Sequence, residues 1–189
     1  VAVLLLFTAG IAKAGDGATE VAGESETEAG TTHPTAKQAF ERLKKLAGTW
    51  DGKGAGEGEE AGPPEGQSFA VNHSFAVSAN DSVVMETMNP GTAHEMINMY
   101  HLDGDDLVLT HYCAAGNQPT MKMDPESSSA DDLVFEFTGG TNLDPAVDTH
   151  IHAGGLKFVD DEHIESRWIS HQNGEKVGVM VFYLQRAEG

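Results

Sequence analysis

From residue 68 onward, apolar and polar side chains alternate along the chain with a period of two. In "SFAVNHSFAVS", Phe69, Val71, His73, Phe75 and Val77 share one face, because side chains two apart on an extended strand point the same way. The pattern recurs in "SVVMETM", "HEMINMYHL", "DLVLTHYC", "TMKM", "DLVFEFTG", "GGLKFVD", "HIESRWIS" and "VGVMVFYLQR", separated by "NPG", "DGDD", "DPESSSADD", "DDE" and "QNGE". With "GTWDGKGAG" in front of them, these segments predict roughly ten short strands joined by tight connections. The period changes once. In "TAKQAFERLKKLAG", Ala36, Phe40, Leu43 and Leu46 fall on one helical face, Thr35 can cap the start and Gly48 can end it. The "LDPAVDTH" segment (143–150) is the one connection expected to hold a short helical turn. The predicted fold is all-β: an antiparallel up-and-down barrel of about ten strands preceded by one short α-helix. No fixed-period repeat is visible, which argues against a propeller or a solenoid.

The chain before the helix has a different character. "VAVLLLFTAGIAKA" (1–14) is an apolar run ending in Ala12-Lys13-Ala14, the pattern of a secretory signal peptide's apolar region and cleavage site. It is short of the ~20 apolar residues a membrane span needs. Residues 15–32 carry five acids, no base and no aromatic, too little to bury against the entropy of ordering them, and read as an acidic, flexible linker. The predicted organisation is therefore signal, linker, and one barrel domain over 33–189. An exported chain, periplasmic or secreted, with Cys113 as its one cysteine has no internal disulfide and must stand on its core. Eleven basic residues against thirty acidic ones, a net charge of −19, disfavour nucleic acid and anionic membrane as partners, since both reward a basic surface. No stable membrane insertion is expected.

"LAGTWDGKG" (46–54) narrows the fold. A helix followed by Gly-x-Trp on the first strand of a β-barrel resembles the calycin superfamily, which includes lipocalins, fatty-acid-binding proteins and nitrobindins. The resemblance implies that Trp50 closes one end of the barrel beneath a basic residue of the last strand, here Arg186, as a cation–π contact. "PGTAHEMINMYHLDGDDLVLTHYCAAGNQP" resembles uncharacterised exported bacterial proteins with a lipocalin-like barrel, and that likeness carries no activity. "GTWDGKG" is also similar to the start of nitrobindin, a haem-binding barrel. The haem-ligating histidine that this likeness implies near the final strand is missing from "VGVMVFYLQR", and His171 would have to replace it.

Candidate chemistry concentrates in "LTHYCAAGNQP". Alternation puts Leu107, Leu109, His111 and Cys113 on one face, so His111 and Cys113 are expected to point into the barrel, with Asn117 and Gln118 near the connection beyond. A Cys113–His111 nucleophilic dyad is disfavoured, because side chains two apart on a strand stand parallel, ~6.5–7 Å apart at Cα. His150 and His152 in "THIHAGG" have the spacing of two metal ligands, with a third to come from His73, His94, His101 or His111. Glu86 and Arg167 interrupt apolar strands. If both face inward they pair, and Arg167 can take a ligand carboxylate; alternation against Trp168 favours a solvated Arg167 instead. The methionines read as core filler before pocket wall.

The leading expectation is a non-enzymatic, exported barrel holding a small, mostly apolar molecule, with His111, Cys113, Asn117, Gln118, His73 and Arg167 as candidate contacts and no cofactor. The alternatives are a histidine-based metal barrel, zinc among the candidates, or a haem barrel, with or without catalytic activity, and a filled barrel acting as an interaction module.

Overall fold

The computed structural model of the protein describes residues 33–57 and 67–188; the expected signal and linker lie outside them. α1 (Ala36–Lys44) is followed by β1 (Gly48–Glu57), β2 (Ser68–Ser78), β3 (Val83–Met88), β4 (Met96–Asp103), β5 (Asp106–Tyr112), β6 (Gln118–Met123), β7 (Asp132–Thr141), β8 (His150–Phe158), β9 (His163–Gln172) and β10 (Glu175–Arg186). Each strand pairs with the next in antiparallel fashion, and β1 pairs with β10 to close the barrel. The mostly-β, ten-stranded architecture with one short helix before it is the predicted one. Closure leaves no free sheet edge, the hazard that open antiparallel sheets must otherwise manage.

Turn chemistry sets the registers. Asn173 and Gly174 between β9 and β10 both have positive φ (53° and 77°), the two-residue hairpin geometry that Asn-Gly adopts with least strain. The 143–150 connection holds a turn in which the N–H groups of Val147 and Asp148 donate to the Asp144 carbonyl at 3.0 and 2.8 Å.

One end of the barrel is plugged. Thr35 caps α1 through a reciprocal pair with Gln38, and Ala36, Ala39, Phe40 and Leu43 are buried against the strands. The helix ends at Lys45 in ordinary αR geometry, earlier than the Gly48 expected to end it; Gly48 (φ 130°) instead starts β1. Trp50 is fully buried, its Nε1 donates to the Leu46 carbonyl at 2.8 Å, and the Arg186 guanidinium sits 4.4 Å above its ring. Arg186 also donates to the carbonyls of Ala47 (3.1 Å) and Lys45 (3.0 Å), satisfying acceptors that the helix end leaves open. The expected Trp50–Arg186 closure is thus in place.

The inward residues of the strands form one core, with Tyr100, Leu109, Met121, Leu133, Phe135 and Ile164 among its most buried members. Two glycines make room for rings at the opposite end. A Cβ on Gly154 would lie 2.8 Å from the Trp168 ring, and one on Gly54 2.6 and 2.9 Å from the rings of Phe69 and Phe182.

Candidate functional site

The barrel interior is not wholly apolar. Glu86 on β3 stands opposite Asn98 on β4, and Asn98 opposite His111 on β5. His73 lies two residues from Phe75, the β2 partner of Glu86, and Tyr100 two residues from Asn98. All five side chains are buried. Each sits at an inward position of its strand, and the registers across β2 to β5 deliver them to one region.

The hydrogen bonds fix the direction of every donor. An ionised carboxylate only accepts: His73 Nδ1 donates to Glu86 Oε1 at 2.8 Å, while Asn98 Nδ2 and Tyr100 OH donate to Oε2 at 2.7 and 2.8 Å. With its amide nitrogen so used, Asn98 turns Oδ1 toward His111 Nδ1 at 2.7 Å. His111 is therefore the donor in that bond, and its Nε2 carries the lone pair. Burial alone would raise the Glu86 carboxyl, but the bond and charge of His73, with the bonds from Asn98 and Tyr100, outweigh it and hold the pKa below the ordinary value. Burial, then the adjacent Glu86 charge, push the Tyr100 hydroxyl well up. Burial pushes His111 down to about 4, against a smaller opposing effect of Glu86, so the ring is neutral at neutral pH.

Among the described residues, three buried polar atoms have no partner: His73 Nε2, His111 Nε2 and Asn117 Oδ1. His111 belongs to the wall of a cavity of about 530 Å³ at the end away from α1. Phe69, Phe182, Trp168, Ile151 and three methionines, Met88, Met96 and Met180, form most of that wall; Asn89, Thr92 and His94 of the β3–β4 turn complete it. The Trp168 ring lies 5.4 Å from His111 and is held by Nε1 donating to Ser166 Oγ at 2.8 Å. This is a largely apolar enclosure with the buried His111, whose Nε2 has no partner, in its wall, the composition of a small-molecule site.

The other residues singled out in the sequence are placed elsewhere. Cys113 follows the end of β5, half-buried, and is not part of the cavity wall. Asn117 donates to the Thr149 carbonyl (2.8 Å), and Gln118 bonds Gly116, Thr141 and Asn142; both tie connections together at the open end. His73 is interior, in edge contact with Phe182 (5.0 Å), but belongs to the polar chain and not to the wall. Arg167 is exposed on the outer face, because its neighbour Trp168 takes the inward position. The pairing with Glu86 that an inward Arg167 would have made is made by His73. Asn98 and Tyr100 were not singled out; the signal for them was polar residues at inward parity in "MINMYHL".

His150 and His152 come together with a third histidine, though not one of those expected. None of the three lines the cavity, and His150 pairs across to His171 on β9. His150 Nδ1 donates to the Asp148 carbonyl at 2.9 Å, and its Nε2 lies 3.0 Å from His152 Nδ1. His152 and His171 stack at 3.9 Å with planes 8° apart. Imidazole lone pairs lie in the ring plane, so two parallel stacked rings cannot converge on one ion. Among the described residues, no group of three or more His, Cys, Asp and Glu is arranged to hold a metal. His171 also does not line the cavity, so it does not replace the missing haem ligand there.

A larger concavity, about 800 Å³, lies outside the barrel beside α1. Both of its arginines have partners: Arg42 binds Asp131 at 2.8 Å and Arg186 is held over Trp50. It reads as a solvated groove.

The chain matches no protein-family model and no curated protein. Among solved structures it is similar to a protein of unknown function from the DUF3598 family of Nostoc punctiforme, with a TM-score of 0.53 at 11% identity over 77% of this chain. The match spans 49% of that protein's length, and the likeness is one of fold alone. No described helix is long and apolar enough to cross a membrane.

Proposed function

We propose that the protein is a calycin-like binding barrel, exported from the cell, which holds a small, mostly apolar molecule in the cavity at its open end, with His111 as the polar anchor. One observation carries this reading: a buried His111 Nε2 without a partner in the wall of an otherwise largely apolar cavity. A buried polar atom left bare costs about 1–3 kcal/mol, a cost that a ligand supplying the missing bond offsets. The methionine wall suits the reading, since unbranched thioether side chains repack around varied shapes.

The test is titration of the full chain with N-phenyl-1-naphthylamine, a neutral apolar fluorophore. Saturable one-site enhancement is expected, with quenching of Trp168 at the wall and loss of binding in Met180→Trp, whose indole fills the cavity. Unsaturable enhancement, or enhancement unchanged in a folded Met180→Trp protein, refutes the cavity as the site.

A second reading, a haem iron ligated by His111, has its own supporting observation. A metal-binding imidazole donates its other nitrogen to a fixed acceptor, as His111 Nδ1 does to Asn98 Oδ1. No Lys or Arg stands in the cavity wall to meet haem propionates, which ranks this reading second. Ferric haem titration decides it: a sharp Soret band lost in His111→Ala supports it, and a free-haem spectrum at equimolar protein refutes it.

A further inference from the structure

Resting on the reading of the cavity as a ligand site, we infer the chemical class of its ligand: a neutral apolar alcohol or phenol, bound through a hydroxyl that donates to His111 Nε2, in preference to a carboxylate of the same shape.

The direction of the polar chain selects for a donor. Glu86 accepts from Asn98 Nδ2, so Asn98 offers only its oxygen to His111. His111 must then spend its one ring N–H on Asn98, and the nitrogen left over is an acceptor. Flipping the Asn98 amide would set its oxygen against the Glu86 carboxylate, acceptor on acceptor, so Glu86 locks the tautomer from one residue away. A ligand that completes this site must bring an O–H or N–H.

The charge balance selects the rest of the class. The wall holds no Lys or Arg, and the neutral His111 carries no charge to offer an anion. A carboxylate head placed at Nε2 would meet a lone pair, with no lysine or arginine in the wall to hold it. The one arginine that the sequence offered for that role, Arg167, is on the outside of the barrel. A methyl ether keeps the shape of the alcohol but has no proton to give, and leaves Nε2 as bare as before. A site built to hydrogen-bond one group discriminates against analogues lacking it, because its own polar atom is then stranded.

The experiment is a matched series on the full chain by isothermal titration: 4-octylphenol, 4-octylanisole and 4-octylbenzoate at pH 7.5. The phenol is expected to bind at least tenfold more tightly than either of the others. In His111→Phe, phenol and anisole should bind alike, the anisole keeping its wild-type affinity. The wild-type series stands on its own if that variant fails to fold. Equal affinities for phenol and anisole in the wild type, or tightest binding of the benzoate, overturn the assignment and leave the cavity reading intact. Absence of binding by all three overturns the cavity reading, and this inference with it.

Discussion

The histidines inside the barrel and those at its open rim meet the same chemical requirement in opposite ways. His73 and His111 are each fixed by one nitrogen to a carboxylate–amide chain, Glu86–Asn98, and each keeps the other nitrogen bare. His150, His152 and His171 partner one another: a ring-to-ring hydrogen bond joins the first two and a parallel stack the last two, with Phe137 stacked on His152 at 4.9 Å. The first group is directional and incomplete, and so has something to offer a ligand. The second is close to self-satisfied, and His152 and His171 remain half-exposed. Proximity of histidines is thus a poorer guide to a site than an unfilled bond in a dry place.

The sharpest way to break this contrast is to remove the residue on which the interior chain converges. Glu86→Leu leaves donors on His73, Asn98 and Tyr100 without an acceptor in the core, and should cost about 3–5 kcal/mol, the range for breaking a buried charged pair. His171→Ala at the rim should cost under about 1 kcal/mol, as for a partly exposed side chain outside the core. Urea unfolding of both variants compares them directly. Similar losses would mean that the rim cluster is as structural as the interior chain.

Acid provides the second contrast. In the folded protein His111 is pushed down to about 4, so between that value and its ordinary 6.5 the unfolded chain binds more protons. Stability from the neutral ring is full above pH 6.5 and falls as pH drops toward 4, by roughly 3 kcal/mol for this single group. Glu86, held below its ordinary value, continues the same trend at lower pH, losing its contribution as it protonates. His111→Phe should start from lower stability, since Asn98 Oδ1 loses its donor, and should lack most of the slope between pH 6.5 and 4. Urea midpoints across that range read both; an unchanged slope would place the acid sensitivity in other groups.

Gly154→Ala probes the cavity wall without touching the polar chain. Its methyl would lie 2.8 Å from the Trp168 ring, and overpacking of this kind costs about 1–3 kcal/mol. Because Trp168 stands beside His111, the variant should also weaken probe binding, which Glu86-independent fluorescence titration would show. Unchanged binding alongside lost stability would separate the packing role of Trp168 from its place in the wall.

The parts of this organisation that follow local periodicity were legible in the sequence. Ten strands, one capped helix and the Trp50–Arg186 closure all follow from patterns within a few residues or from one motif. His111 and Glu86 stood out as polar residues interrupting apolar alternation. Their partners did not, because strand parity says which way Glu86 points but not which residue of another strand lies opposite. That depends on register, which the sheet sets through turns and bulges. His171 escaped notice beside His150 and His152 for the same reason: the three meet only through the β8–β9 pairing and its irregularity between Ile151 and Ala153. The direction of each hydrogen bond, from which the ligand class is argued, required all four strands in place.

The smallest expected effect tests the rim side of the comparison. Burial first, then the neighbouring His171 and His150, lower the pKa of His152. A charge on His152 is disfavoured partly because a second charge stacked 3.9 Å away would repel it. His171→Ala removes that neighbour and admits water beside the ring, and both changes act in the same direction. The His152 pKa should therefore move up toward its ordinary 6.5, with little change in the His111 titration, since His111 belongs to the other group. Imidazole carbon-proton NMR through a pH titration resolves the two rings. A shift at His152 alone keeps the groups independent, whereas a matching shift at His111 would mean that rim and cavity titrate as one system and that the division between them is not real.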